Sequence, residues 1–148
     1  MKKITGMILA FLIFFNIPNM AYATSTDDSN TRASNYLTSY GILLSQSTNH
    51  RLAITVDVEA KRQMSIVGVF EIYIEEYSDT LGAWTEYDVW YGSSNPSLYY
   101  AYNSWDYSET FYFTGTPGNK YRVTFTCFAA DSSGSDTGSI VSVTRTCP

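Results

Sequence analysis

Apolar and polar residues alternate with a period of two through most of this chain. Leu52, Ile54, Val56 and Val58 alternate with Ala53, Thr55, Asp57 and Glu59, the pattern of a strand with one face in a core and the other in water. From Tyr36 to Leu44 the same period recurs with both faces partly apolar. Ile66, Gly68, Phe70, Ile72 and Ile74 are expected to share one face of a further strand running to Tyr77. Ser78 to Gly82 reads as a hairpin loop returning through Trp84 to Tyr91. Glu109 to Thr114 is the next strand, and Thr116-Pro117-Gly118-Asn119 is strong turn chemistry. Tyr121, Val123, Phe125 and Cys127 form the inward face of a strand that follows. Asp131 to Gly138 reads as a polar loop, and Ile140 to Thr146 closes the chain. A short helical turn suits residues 97–107, where the period is lost. The pattern predicts an all-β protein, an antiparallel β-sandwich of about seven strands, as a single domain over residues 34–148.

Two stretches depart from this pattern. Met1-Lys2-Lys3 is basic, Met7 to Phe15 is unbroken apolar, and Ala21-Tyr22-Ala23 offers small residues at the positions a signal peptidase reads. Residues 1–23 are therefore expected to be a signal peptide cleaved after Ala23, since the apolar run falls short of the about 20 residues a membrane span needs. Residues 24–33 are small and polar and read as a flexible leader. No Cys follows the cleavage point and no apolar tail ends the chain, so release from the cell is expected rather than anchoring.

Composition narrows the partners. Removing Lys2 and Lys3 leaves seven basic residues against fourteen acidic ones, a net charge of −7. Nucleic acid and anionic membranes call for clustered Lys and Arg, so neither is expected as a partner, and the mature chain is not expected to insert in a membrane. An extracellular protein or a glycan is the expected partner class; the oligomeric state is not readable.

Catalytic chemistry is thin. The single histidine, His50, falls in a turn with no nucleophile motif beside it. One His and two Cys at unrelated spacing do not make a zinc site, and no phosphate-binding loop is present. No cofactor and no catalytic residue is expected. Glu75 and Glu86 flank one hairpin and are the nearest thing to a glycosidase pair, although carboxylates on a wet hairpin face are normally solubilising. Asp131 and Asp136 share one loop as a candidate calcium site.

Cys127 and Cys147 are oxidisable outside the cell, but a hairpin at 131–138 leaves them roughly 16 Å apart, so a bridge requires the chain end to fold back. The alternative is a buried Cys127 acting as a small apolar side chain.

One feature is unusual. Nine Tyr or Trp residues lie between Trp84 and Tyr107. Tyr99, Tyr100, Tyr102, Trp105 and Tyr107, with Asp106 as an acceptor, are the candidate ligand-binding face, because such rings combine a flat apolar surface with a polar tip. The alternative is that these rings cover the edge and end of the sheet. The resulting expectation is a secreted, non-catalytic binding or interaction module, with a carbohydrate-binding module as one alternative and a secreted hydrolase as a disfavoured one.

Gly118-Asn-Lys-Tyr121-Arg-Val123 resembles the turn entering the sixth strand of immunoglobulin-like and fibronectin type III sandwiches. The resemblance implies a tyrosine corner, with Tyr121 bonding back to the backbone. The antibody-type disulfide is absent, since no Cys lies on the second strand and Cys127 is six residues after Tyr121. The order Arg32-Ala-Ser-Asn-Tyr36-Leu, Ile72-Tyr-Ile-Glu-Glu, Trp84 and Gly118-x-x-Tyr121 also resembles small secreted proteins of Gram-positive gut and soil bacteria, a group known only as a domain of unknown function. That likeness implies fold and location and no chemistry.

Overall fold

The computed structural model describes Ala23–Thr24 and residues 34–148. The expected signal peptide and leader therefore lie outside the described residues, apart from Ala23 and Thr24. The fold is all-β and antiparallel. Its strands are β1 (Ala23–Thr24), β2 (Leu37–Gln46), β3 (Arg51–Ser78), β4 (Ala83–Tyr91), β5 (Tyr100–Thr114), β6 (Lys120–Asp131), β7 (Gly134–Val141) and β8 (Arg145–Thr146). A 3-10 turn at Gly92–Ser94 and the four-residue helix α1 (Pro96–Tyr99) join β4 to β5. No helix among the described residues is long and apolar enough to cross a membrane.

β3 is the spine. The two strands expected at Leu52–Val58 and Ile66–Tyr77 are one strand of 28 residues. Over its first half β2 pairs with one edge and β5 with the other. Over its second half β6 replaces β2, and β4 takes over from β5. The sheet bends at residues 60–63, where four residues of β3 are passed by a single residue of β5, so the register jumps from Glu59↔Asp106 to Met64↔Ser104. Bending brings the two halves face to face. The layers expected of a sandwich are thus two halves of one continuous sheet, curled into a half-barrel rather than built as an immunoglobulin-like pair of sheets.

The core lies inside the curl. Leu44, Leu52, Ile54 and Val56 come from one half and Ile72, Ile74, Val123 and Phe125 from the other, all with no solvent exposure. Burying a side chain of this size contributes about 1.5–3 kcal/mol. Bulges set which residues face inward. Val69 pairs with Cys127 and Glu71 with Thr126, which leaves Phe70 as the extra residue. One inserted residue moves everything before it to the opposite face. Val67 and Val69 therefore point into the core in place of Ile66, which is half-buried, and Phe70 turns outward, 53% exposed, to meet the edge of Phe128. Gly68 itself lies under the start of β5, where a Cβ would stand 2.1 Å from the Tyr99 carbonyl oxygen.

The curl closes differently along its two sides. Tyr36 and Tyr40 lay their rings over Gly134 and Gly138 of β7, and Asp136 accepts from the Ser34 hydroxyl at 2.8 Å. On the other side, β4 and β5 each pair only with β3 among the described residues. Side chains alone span that seam: Tyr87 packs on Phe113, Trp90 on Phe111, and the Tyr87 hydroxyl donates to the Thr114 carbonyl at 2.6 Å.

The loop expected at Asp131–Gly138 is instead a tight hairpin. Asp131 pairs with Gly134, and Cys127 faces Gly138. The Cys147 N–H donates to the Asn119 carbonyl at 2.8 Å, eight residues from Cys127 along β6, or about 26 Å. Both cysteines are free and buried. Burial pushes the Cys127 thiol up to about 12, which keeps it protonated and unreactive.

Two outcomes follow. The intact folded protein should keep the mass of the fully reduced chain and leave a thiol reagent unconsumed until denaturant is added; prompt labelling of the native protein would contradict the burial. Gly68→Ala should lower unfolding free energy by about 2 kcal/mol in urea titration, because the added methyl meets backbone rather than a movable side chain.

Candidate functional site

The aromatic stretch does not form one face. Tyr99 is buried and stacks on Phe111 with ring centroids 5.0 Å apart. Tyr107 is buried and donates its hydroxyl to the Leu98 carbonyl at 2.8 Å, and burial pushes its phenol up. Tyr100 is half-buried and stands edge-on to Phe128 and Tyr102. These rings meet at 79°, so they offer no shared plane. Trp84, Tyr87 and Trp90 are spent on Arg122, the seam and Asp88 respectively. Only Tyr102 and Trp105 of the candidate face stand clear, at 54% and 56% exposure.

Trp105 stands where the sheet bends. It is the single β5 residue opposite four residues of β3, and a bulge of this kind re-aims a side chain. Asn103 precedes it with φ of 50°, a left-handed conformation that Asn tolerates better than most residues. Gln63 Nε2 donates to the Asn103 carbonyl at 2.7 Å and ties the bend to this kink. The Ser104 hydroxyl donates to Asp106 Oδ1 at 3.2 Å and accepts from the Asp106 N–H at 3.3 Å, which fixes the carboxylate beside the indole.

Trp105, Asp106 and Tyr107 line an open groove of about 420 Å³ with Ser39, Asp57, Glu59 and Ser108. The register explains the gathering. Ser39 pairs with Glu59, Glu59 with Asp106, and Asp57 with Ser108, so β2, β3 and β5 each bring one polar row to the same surface. Glu59 and Asp106 are like charges directly opposite on neighbouring strands, an arrangement that costs stability. Asp57 makes no hydrogen bond or ion pair with the described residues, and burial raises its carboxyl above the usual range. Gly41 leaves it room: a Cβ there would lie 2.9 Å from Asp57 Oδ1. Asp57 and Glu59 are visible in the sequence only as the polar side of an amphipathic strand. Their meeting with Trp105 depends on cross-strand register, which that pattern does not supply.

The remaining candidates are engaged elsewhere. The Glu75 carboxylate is held on both oxygens by Arg122, at 2.7 and 2.8 Å. Asp131 accepts from the Ser133 hydroxyl and N–H and then from Arg62, which hold its carboxyl down at about 2, and Asp136 is capped by Ser34 and the Asn35 N–H. Among the described residues no group of three or more His, Cys, Asp or Glu is placed to hold a metal ion. His50 sits exposed in its turn, its Nδ1 at 2.7 Å from Pro148 O. Tyr121 is fully buried, and its hydroxyl accepts from the Thr116 N–H at 2.8 Å and donates to Glu76. Burial, reinforced by the Glu76 carboxylate, pushes this phenol up to about 12. The Glu76 partnership has no signal in the sequence, because it joins residues 45 apart.

Comparison with known proteins returned nothing: no family model, no curated protein and no solved structure matches the chain.

Asp57 and Asp136 should respond oppositely to neutralisation. The folded state disfavours ionised Asp57, so Asp57→Asn should stabilise the protein at pH 7, and the gain should vanish below about pH 4, where the unfolded carboxyl is itself protonated. Asp136 is held below its usual range by hydrogen bonds, so Asp136→Asn should cost roughly 1 kcal/mol at pH 7, an effect also lost in acid. Urea midpoints at pH 7 and pH 3 would check both signs.

Proposed function

We propose that the protein is a secreted, non-catalytic binding module whose ligand lies in the groove at Trp105. Export rests on the basic head, apolar centre and Ala21-Tyr22-Ala23 end of residues 1–23. The likeness to small secreted proteins of Gram-positive bacteria is part of the same reading.

One observation carries the binding assignment. A Trp side chain, 56% exposed, stands at the register shift between β3 and β5, beside a groove of about 420 Å³. Folding alone favours turning an indole inward, so an indole left exposed beside a groove points to a partner that covers it. The volume falls in the range of about 300–1,000 Å³ usual for ligand sites. A glycan is the reading of the partner that the groove favours, because an indole face beside oxygen acceptors suits a sugar ring. The hydrolase alternative gains nothing from Glu75, whose oxygens are both taken by Arg122.

Glycan-array and calorimetric binding would test this. Trp105→Ala should weaken binding by about tenfold or more, the loss of one stacked ring, while Tyr102→Ala, outside the groove, should leave it unchanged. Undiminished binding by the Trp105 variant to every ligand found would remove the groove from consideration.

A further inference from the structure

We infer that the ligand of this groove is a glycan carrying free amines, its sugar ring on Trp105 and its ammonium groups on Asp57, Glu59 and Asp106. The inference rests on the groove being the binding site and adds the charge of what fills it.

The donor and acceptor inventory decides the class. Asp57, Glu59 and Asp106 present only acceptors when ionised. The hydroxyls are Ser39 and Ser108, together with the already committed Tyr107, and Ser39 already donates to Glu59 Oε2 at 3.1 Å. No Lys, Arg, Asn or Gln lines the groove. A neutral polyol can donate its hydroxyls to these carboxylates, but it leaves their negative charge uncompensated. An ammonium group is donor only and matches the lining.

The cations within reach are committed elsewhere. Lys61 and Arg62 follow the groove-lining Ala60 directly in the chain. The Lys61 ammonium donates to the Ser34 carbonyl. Arg62 pairs with Asp131 at 2.9 Å and lies over the Tyr36 ring at 4.9 Å. The facing Glu59 and Asp106 charges therefore have no counter-ion among the described residues. A metal does not answer this, since the three carboxylates do not form a group able to hold one. A larger organic cation spans carboxylates that a single ion does not, and the indole face adds cation–π attraction.

A sugar suits the floor better than a peptide. β2, β3 and β5 spend their facing edges on one another beneath the groove, so no backbone ladder is offered to an incoming strand. Recognition there falls to side chains, and the flat indole fits the C–H face of a ring.

The test compares chitotetraose fully N-acetylated with the same tetramer fully de-N-acetylated, and tetralysine as a third probe, by calorimetry at about pH 6 with the full chain. The de-N-acetylated form should bind at least about tenfold more tightly than the acetylated one, roughly the worth of one charge-assisted contact. That preference should fall away in Glu59→Gln and Asp106→Asn and weaken as salt is raised. Both positions are exposed, and unchanged melting temperatures would show that the variants fold. Equal binding of both tetramers, lost in Trp105→Ala, would keep the groove and overturn the charge assignment. Tetralysine binding as tightly as the amine glycan would replace the sugar with a basic peptide and overturn the inference. Binding of none of the three would overturn the groove and the inference together.

Discussion

Everything in this fold hangs on β3 running as one continuous strand. Its 28 residues contribute both halves of the sheet, and every other long strand except β7 pairs with it directly. A strand of this length cannot stay flat and bury a core. It must bend, and the bend at residues 60–63 is where the chain settles the conflict between continuous pairing and closure. The residue opposite the bend is Trp105. The most conspicuous surface side chain is thus a by-product of the same geometry that folds the sheet onto itself.

Legibility in the sequence divides along that line. Alternation in Leu52–Val58 and Tyr121–Cys127 is unbroken, and those residues face inward as the period requires. The Tyr121 hydroxyl meets the Thr116 N–H across a turn signalled by Pro117 and Gly118. At Phe70 the same reasoning inverts, because a bulge costs one residue and no residue type announces it. The bend is misleading for a related reason: Lys61, Arg62 and Gln63 interrupt the apolar–polar alternation, so the pattern reads as two strands where one runs through. Gly134, within a run of polar residues, suggested a long loop, although its role is to end a tight hairpin.

The groove shows the same division. Trp105 and Asp106 stand out by composition, within a run of rings too dense to pass over. Which of those rings remain exposed is set by packing: Tyr99 and Tyr107 serve the core, and Tyr100 leans on Phe128. Asp57 and Glu59 come from a strand nearly 50 residues earlier and join the site through register alone. Composition pointed to the neighbourhood, and pairing supplied the chemistry. The carboxylates are tolerated there at a cost to stability, which is how surfaces kept for a partner usually differ from surfaces kept for the fold.

The seam between β4 and β5 carries a consequence for motion. Along it the half-barrel is held by rings and one hydroxyl, with no ladder of backbone bonds among the described residues. Ring contacts melt more gradually than a ladder, and the β4 hairpin is anchored on one edge only. Partial opening should therefore begin here, as a hinged flap of β4 swinging from β3, well before the central pairing yields. Because α1 and the start of β5 follow directly from β4, such breathing would reach the kink at Asn103. The rigidity of the groove is then borrowed from a closure that the backbone itself does not enforce.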